Sequence, residues 1–79
     1  MIIELFSRPG CHLCEEAKEV ILQAGKHYTF DFVEHNVQER EEWEARYGQE
    51  IPVVLINGKK VFKFRVPAQR LERYLKRCS

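Results

Sequence analysis

Ile2-Ile3-Glu4-Leu5-Phe6-Ser7-Arg8-Pro9-Gly10-Cys11-His12-Leu13-Cys14 is the stretch on which the fold turns. Ile2 to Phe6 is a short apolar run that breaks early, which predicts a buried strand, and Ser7-Arg8-Pro9-Gly10 supplies turn residues. Beyond the turn, Leu13, Ala17, Val20, Ile21 and Ala24 recur at the three- and four-residue steps of one helical face. Glu15, Glu16, Lys18, Glu19 and Gln23 fill the opposite face, and Gly25 ends the helix. A Cys-x-x-Cys therefore stands where a strand hands the chain to a helix.

That placement has chemical consequences. Residues three apart share a helical face, so the two sulfurs can meet. Cys11 lies where unpaired backbone N–H groups and the positive end of the helix dipole converge, and Arg8 adds a nearby positive charge. Such settings favour the thiolate, the nucleophile of disulfide exchange. Cys14, one turn inside the helix, is suited to wait as a thiol and resolve the mixed disulfide formed by Cys11.

Tyr28 to Glu34 is dense in aromatic and β-branched residues and predicts a second strand. Asn36 with Glu39 approximates a capping box for a helix in which Arg40, Trp43 and Tyr47 share a stripe, expected mainly as core, before Gly48. Ile51 to Ile56 is nearly all apolar, Asn57-Gly58 is a strong hairpin signal, and Lys59 to Phe64 is the return strand. Pro67 opens a last helix with Ala68, Leu71, Tyr74, Leu75 and Cys78 inward, where Cys78 is expected to pack. The order is β-α-β-α-β-β-α: a four-stranded mixed α/β sheet with helices on both faces. Strands separated by helices are expected to pair in parallel, with the hairpin adding an antiparallel edge.

Composition limits what such a chain can do. Seventy-nine residues suit a single domain over residues 1–79, and 44% hydrophobic with 32% charged residues is ordinary for a folded soluble protein. Thirteen Lys and Arg against twelve Asp and Glu leave a net charge of +1, so no global field draws the chain to nucleic acid or to an anionic membrane. The longest apolar run is far short of a bilayer span, and Glu4 interrupts the N-terminus too early for a secretory hydrophobic region, which predicts a cytoplasmic protein. Three cysteines, two of them a close pair, make a poor disulfide framework, so reactivity or metal binding is favoured. A zinc site would need a second ligand pair, whereas His12, His27, His35 and Cys78 are scattered, so no metal is assigned. His12 either tunes the thiolate or is an exposed loop residue, and His27 and His35 are expected at the surface.

Ser7-Arg8-Pro9-Gly10-Cys11-His12-Leu13-Cys14 resembles the active-site loop of the glutaredoxin family. Glu50-Ile51-Pro52 followed by Val53-Val54-Leu55-Ile56-Asn57-Gly58-Lys59 resembles that family's cis-proline loop and hairpin. The resemblance covers essentially the whole chain. It implies the thioredoxin fold, with Cys11 as nucleophile, Cys14 as resolving thiol and a cis-proline at Pro52 beside them. A proline opening a strand also leaves the Ile51-Pro52 backbone free to pair with an incoming peptide. The chain departs from the family pattern in three places: Glu50 replaces a Thr, Phe62 and Lys63 stand near the position of paired glycines, and His12-Leu13 replaces an aromatic between the cysteines. These departures place it in a divergent glutaredoxin-like subgroup.

The expected activity is thiol-disulfide oxidoreduction without an organic cofactor, acting on a disulfide-containing protein or a glutathione mixed disulfide. Glutathione or thioredoxin reductase would serve as the reductant. Arg8, Ile51, Pro52 and Arg65 are the expected substrate-binding residues, with Arg65 contributing more than Lys63 to a carboxylate and Glu50 opposing an anionic peptide. A redox-sensing or binding module without turnover, and an iron–sulfur carrier, are the alternatives.

Overall fold

In a computed structural model, which describes residues 1–78, β1 (Ile2–Ser7) runs through the middle of a four-stranded sheet ordered β2-β1-β3-β4. It is followed by α1 (His12–Ala24), β2 (Asp31–Asn36), a single 3-10 turn over Val37–Glu39, α2 (Glu41–Tyr47), β3 (Val53–Ile56), β4 (Lys59–Lys63) and α3 (Ala68–Cys78). The alternation of β1 sorts the core. Ile3 and Leu5 join Ala17, Ile21, Val54, Leu71 and Leu75 under α1 and α3, while Phe6 joins Val37 and Val53 on the other face, with Trp43 and Tyr47 of α2 packed over them. Helices thus cover both faces, as the sequence predicts.

One pairing differs from expectation. β1 and β2 are parallel, but β1 and β3 are antiparallel, from Phe6 opposite Val53 to Ile3 opposite Ile56. The cause is the length of the connection. α1 has thirteen residues, about 20 Å of helix, enough to carry the chain back along a strand of similar length. α2 has seven, only about 10 Å. β2 ends beside Ser7 and β3 begins beside Phe6, so the chain crosses the sheet face but stays at one end and must re-enter in the opposite direction.

Other boundaries shift for local reasons. β2 starts at Asp31 rather than Tyr28, because its pairing begins where β1 begins, at Ile2 opposite Asp31; Tyr28 and Phe30 pack on the core ahead of the strand. Asn36 caps as predicted, but its Oδ1 accepts the Gln38 N–H at 2.9 Å and opens the 3-10 turn, while α2 starts after Arg40 without a side-chain cap. Asn57 and Gly58 both have positive φ, 52° and 82°, which is the backbone a two-residue hairpin with matching twist requires. Cys78 is exposed rather than packed, as is Ala68, so the last helix buries only Leu71 and Leu75 fully.

The hairpin is also tied down by charge. Lys60 and Lys63 of β4 reach Glu50, ahead of β3, at 2.6 and 3.3 Å. Hydrogen bonds from Lys60 first and Lys63 second hold the Glu50 carboxyl below the ordinary glutamate value. A carboxylate whose folded pKa is depressed contributes stability that is complete above its unfolded value, about 4.3, and is lost as pH falls through the lower folded value. Urea unfolding of Glu50→Gln beside wild type is therefore expected to show a gap at neutral pH that closes in acid. In the core, Leu71→Ala is expected to cost about 2–5 kcal/mol. Leu22→Ala, on the exposed side of α1, should stay within about 0.5 kcal/mol in the same titrations.

Candidate functional site

The turn that joins β1 to α1 builds the site. Gly10 takes φ of 78°, a left-handed conformation natural to glycine, and the Cys11 N–H donates to the Arg8 carbonyl at 3.2 Å. Cys11 is the N-cap of α1, and its Sγ accepts the backbone N–H of Cys14 at 3.2 Å. The two Cα atoms are 5.2 Å apart and the sulfurs are paired as a disulfide. Exposure separates them: Cys14 is only 3% exposed, on the buried face of α1, whereas Cys11 is half-buried at the helix tip. The arrangement leaves one cysteine nearer the surface and the other buried behind it.

Pro52 follows a cis Ile51–Pro52 bond, as the resemblance implies, and is fully buried. It lies one residue beyond the Phe6–Val53 pair, at the sheet end from which the cysteine turn leaves. The Ile51 side chain packs against Phe6, Val37 and Val53, and among the described residues neither its N–H nor its carbonyl has a backbone partner. The Phe64 N–H closes the far side of this loop by donating to the carbonyls of Pro52 and Glu50 at 2.9 and 3.1 Å.

The charged residues are disposed less simply than the sequence suggests. Arg8 sits beside the cysteine turn, but its guanidinium is committed to Glu44 Oε1 at 2.6 Å and to the Gly48 carbonyl at 3.1 Å, so its charge is offset rather than aimed at Cys11. Glu50 is shared by Lys60 and Lys63, the nearer being Lys60, which removes the expected repulsion by Glu50 and offsets Lys63 only in part. Arg65 is exposed and no carboxylate among the described residues pairs with it. His12 is exposed and its Nε2 is 3.7 Å from Glu16, one turn on. His35 departs from its expected surface place: it is half-buried, stacked on Phe6 at 4.7 Å and joined to Glu4 at 2.9 Å on the α2 side.

One groove takes in the disulfide, and a second starts at Leu13, between the two cysteines in sequence. On the β2 side, a volume of about 380 Å³ is lined by Cys11 and Cys14 together with Glu15, Lys18, Glu34 and Glu39. Glu34 there receives Lys18 at 3.0 Å and the Ser7 hydroxyl at 3.2 Å. On the α3 side, about 250 Å³ is lined by Leu13, Val20, Phe64, Arg65, Val66 and Pro67 among others. Sequence periodicity assigned Leu13 to the core, yet it is 37% exposed, and Phe64 is 48% exposed. Phe64 has φ of 69°, unusual for a bulky residue, and no sequence signal announces that conformation without Gly or Asn. These two residues give the rim of the site an apolar side that sequence reasoning missed.

Among the described residues no cluster of three or more His, Cys, Asp or Glu is arranged to hold a metal ion, and no helix is long and apolar enough to cross a membrane.

Similarity to known proteins agrees with this geometry. A solved structure from X. campestris, a structural genomics target named XcR50, superposes with a TM-score of 0.79 at 27% identity over 95% of this chain and 96% of that one. Thioredoxin from Fasciola hepatica superposes with a TM-score of 0.66 at 22% identity, over 99% of this chain and 80% of that one, and supports the fold alone. A Dictyostelium discoideum protein described as "Glutaredoxin-like protein YDR286C homolog" is 29% identical over 75 residues, covering 87% of this chain and 69% of the relative. The family model for the glutaredoxin-like domain (DUF836) matches residues 2–76, so a thioredoxin-fold chain with a paired Cys11 and Cys14 belongs to the glutaredoxin-like domain family.

Proposed function

We propose that the protein is a cytosolic thiol-disulfide oxidoreductase that reduces disulfides through Cys11 and Cys14. The observation that carries this reading is the asymmetry of the pair: Cys11 at the helix tip, its sulfur facing a backbone N–H donor, and Cys14 buried behind it. In the reduced protein the same donor and the helix dipole favour a Cys11 thiolate.

The reaction balances as two exchanges. The Cys11 thiolate attacks a substrate sulfur; the Cys11–substrate S–S bond forms as the substrate disulfide breaks, and the first substrate sulfur leaves as a thiolate and takes a proton. Cys14 then loses its proton and attacks the Cys11 sulfur, expelling the second substrate thiolate and leaving the Cys11–Cys14 disulfide. Two electrons have passed to the substrate, and a thiol reductant, glutathione or the dithiol of a thioredoxin reductase, restores the pair by the reverse exchange. No organic cofactor is required.

The site supports a protein disulfide as the preferred substrate. The free Ile51 backbone offers pairing to an extended peptide, and the Leu13–Phe64 rim offers an apolar contact to a side chain beside its cysteine. Glutathione, which brings two carboxylates and little apolar surface, meets one unpaired cation in Arg65, so its turnover is weak.

Trapping tests the mechanism. Cys14→Ser should accumulate a stable mixed disulfide with reduced-then-reoxidised insulin, seen by mass spectrometry of the intact adduct, and Cys11→Ser should accumulate none and lose turnover. Accumulation on the Cys11→Ser variant would invert the roles. Substrate choice is tested by steady-state kinetics with a glutathione mixed disulfide: Arg65→Ala should raise KM by up to about fivefold, the scale of one exposed ion pair, and Lys63→Ala by less.

A further inference from the structure

Charge is divided unevenly along this nearly neutral chain. Residues 1–50 hold eleven of the twelve acidic side chains against five Lys and Arg, whereas residues 51–79 hold eight Lys and Arg against Glu72 alone. The fold gathers much of that excess on one side, where α3 lies over the edge strand β4. A groove of about 200 Å³ runs between them, lined by Val61, Phe62, Arg70, Arg73, Tyr74 and Arg77.

Three features mark the groove as built rather than incidental. Arg70, Arg73 and Arg77 follow the three- and four-residue steps of one helical face, a stripe about 10 Å long. Like charges at that spacing destabilise a helix, and among the described residues no carboxylate pairs with any of the three. The floor is apolar. In β4, Phe62 pairs with Val54 and Lys60 with Leu55, which leaves Val61 as a bulge; two consecutive side chains, Val61 and Phe62, consequently line the same groove.

We infer that this groove docks an acidic segment of a partner protein, with Asp or Glu side chains on the arginine stripe and an apolar residue on Val61 and Tyr74. Arginine and tyrosine together are the side chains most used at protein interfaces, and guanidinium groups take carboxylates through two parallel bonds. The bulge and the lysines of β4 blunt the edge against strand addition, so recognition is through side chains. A nucleic acid fits less well: the stripe spans few phosphates, the floor is apolar, and the acidic half of the molecule repels a polyanion. α3 begins immediately after Arg65, Val66 and Pro67, which line the separate apolar groove beside Leu13. Docking itself does not depend on turnover by the cysteine pair.

The test uses the full chain, isotopically labelled, and a synthetic peptide of about 12 residues built from a Glu-Glu-Leu repeat, with a single-stranded RNA of about 12 nucleotides as the competing probe. Amide shifts on peptide addition are expected at Val61, Phe62 and Arg70 to Arg77. Fluorescence anisotropy should show binding weakened roughly tenfold by Arg73→Glu with Arg77→Glu, weakened by added salt, and unchanged by Arg46→Glu on α2. Arg73→Gln with Arg77→Gln should also weaken binding, which keeps the comparison open should charge reversal unfold α3. Equal binding by these variants, equal loss in Arg46→Glu, shifts centred elsewhere, tighter binding of the RNA, or shifts that follow protein concentration without peptide would each overturn the assignment. Loss of disulfide turnover with binding intact would instead count against the redox reading alone.

Discussion

The sulfur of Cys11 does two jobs at one place: it accepts the Cys14 N–H as the cap of α1, and in the proposed reaction it is the atom that attacks the substrate. Both follow from the turn in which β1 ends and α1 starts. A helix N-terminus leaves backbone N–H groups without carbonyl partners, and an N-cap side chain normally supplies an oxygen to one of them. Here a sulfur stands in that position, so the donor that secures the helix also favours negative charge on the reacting atom. Gly10 permits the turn, and the carbonyl of Arg8 receives the Cys11 N–H, so the geometry is held by backbone rather than by long side chains.

The remainder of the fold brings three other segments to that end of the sheet. Parallel pairing with β2 places Asn36 beside Ser7, and antiparallel pairing with β3 places Pro52 just beyond Phe6. β4 then returns to the same end, where Phe64 closes the loop through the carbonyls of Glu50 and Pro52. The short α2 is what makes this possible. A longer helix would have carried the chain to the far end of the sheet and delivered β3 in the parallel sense, with Pro52 remote from the cysteines. Arg8 is paired with Glu44, and Glu50 is shared by Lys60 and Lys63, so the Ile51 backbone and the apolar side chains of Leu13 and Phe64 are the less committed groups around the loop.

The strand–turn–helix unit, the Asn57-Gly58 hairpin and the cysteine pair were legible in the sequence because each rests on local chemistry: period, turn residues and spacing. The direction of β3 was not, since it depends on where a seven-residue helix leaves the chain, a property of length in three dimensions. Leu13 fitted the apolar period of α1 yet is exposed, while Cys14, next to it in the first turn, takes the buried position. Cys78 fitted the period of α3 and is exposed as the last residue of that helix. His35 and the left-handed Phe64 answer to tertiary neighbours alone, Glu4 and Phe6 for the one, the carbonyls of Glu50 and Pro52 for the other. The charges of Arg8 and Lys63 were visible as residues, but their partners were not.

The central claim is that position on α1 divides the two cysteines into an attacking and a waiting sulfur. The most direct measurement is competitive alkylation of the fully reduced protein with a limiting amount of iodoacetamide near neutral pH, followed by peptide mass spectrometry to locate the adduct. Modification is expected on Cys11 well ahead of both Cys14, which is buried, and Cys78, which is exposed but has no helix N-terminus beside it. Modification of Cys14 first, or Cys11 reacting no faster than Cys78, would contradict it.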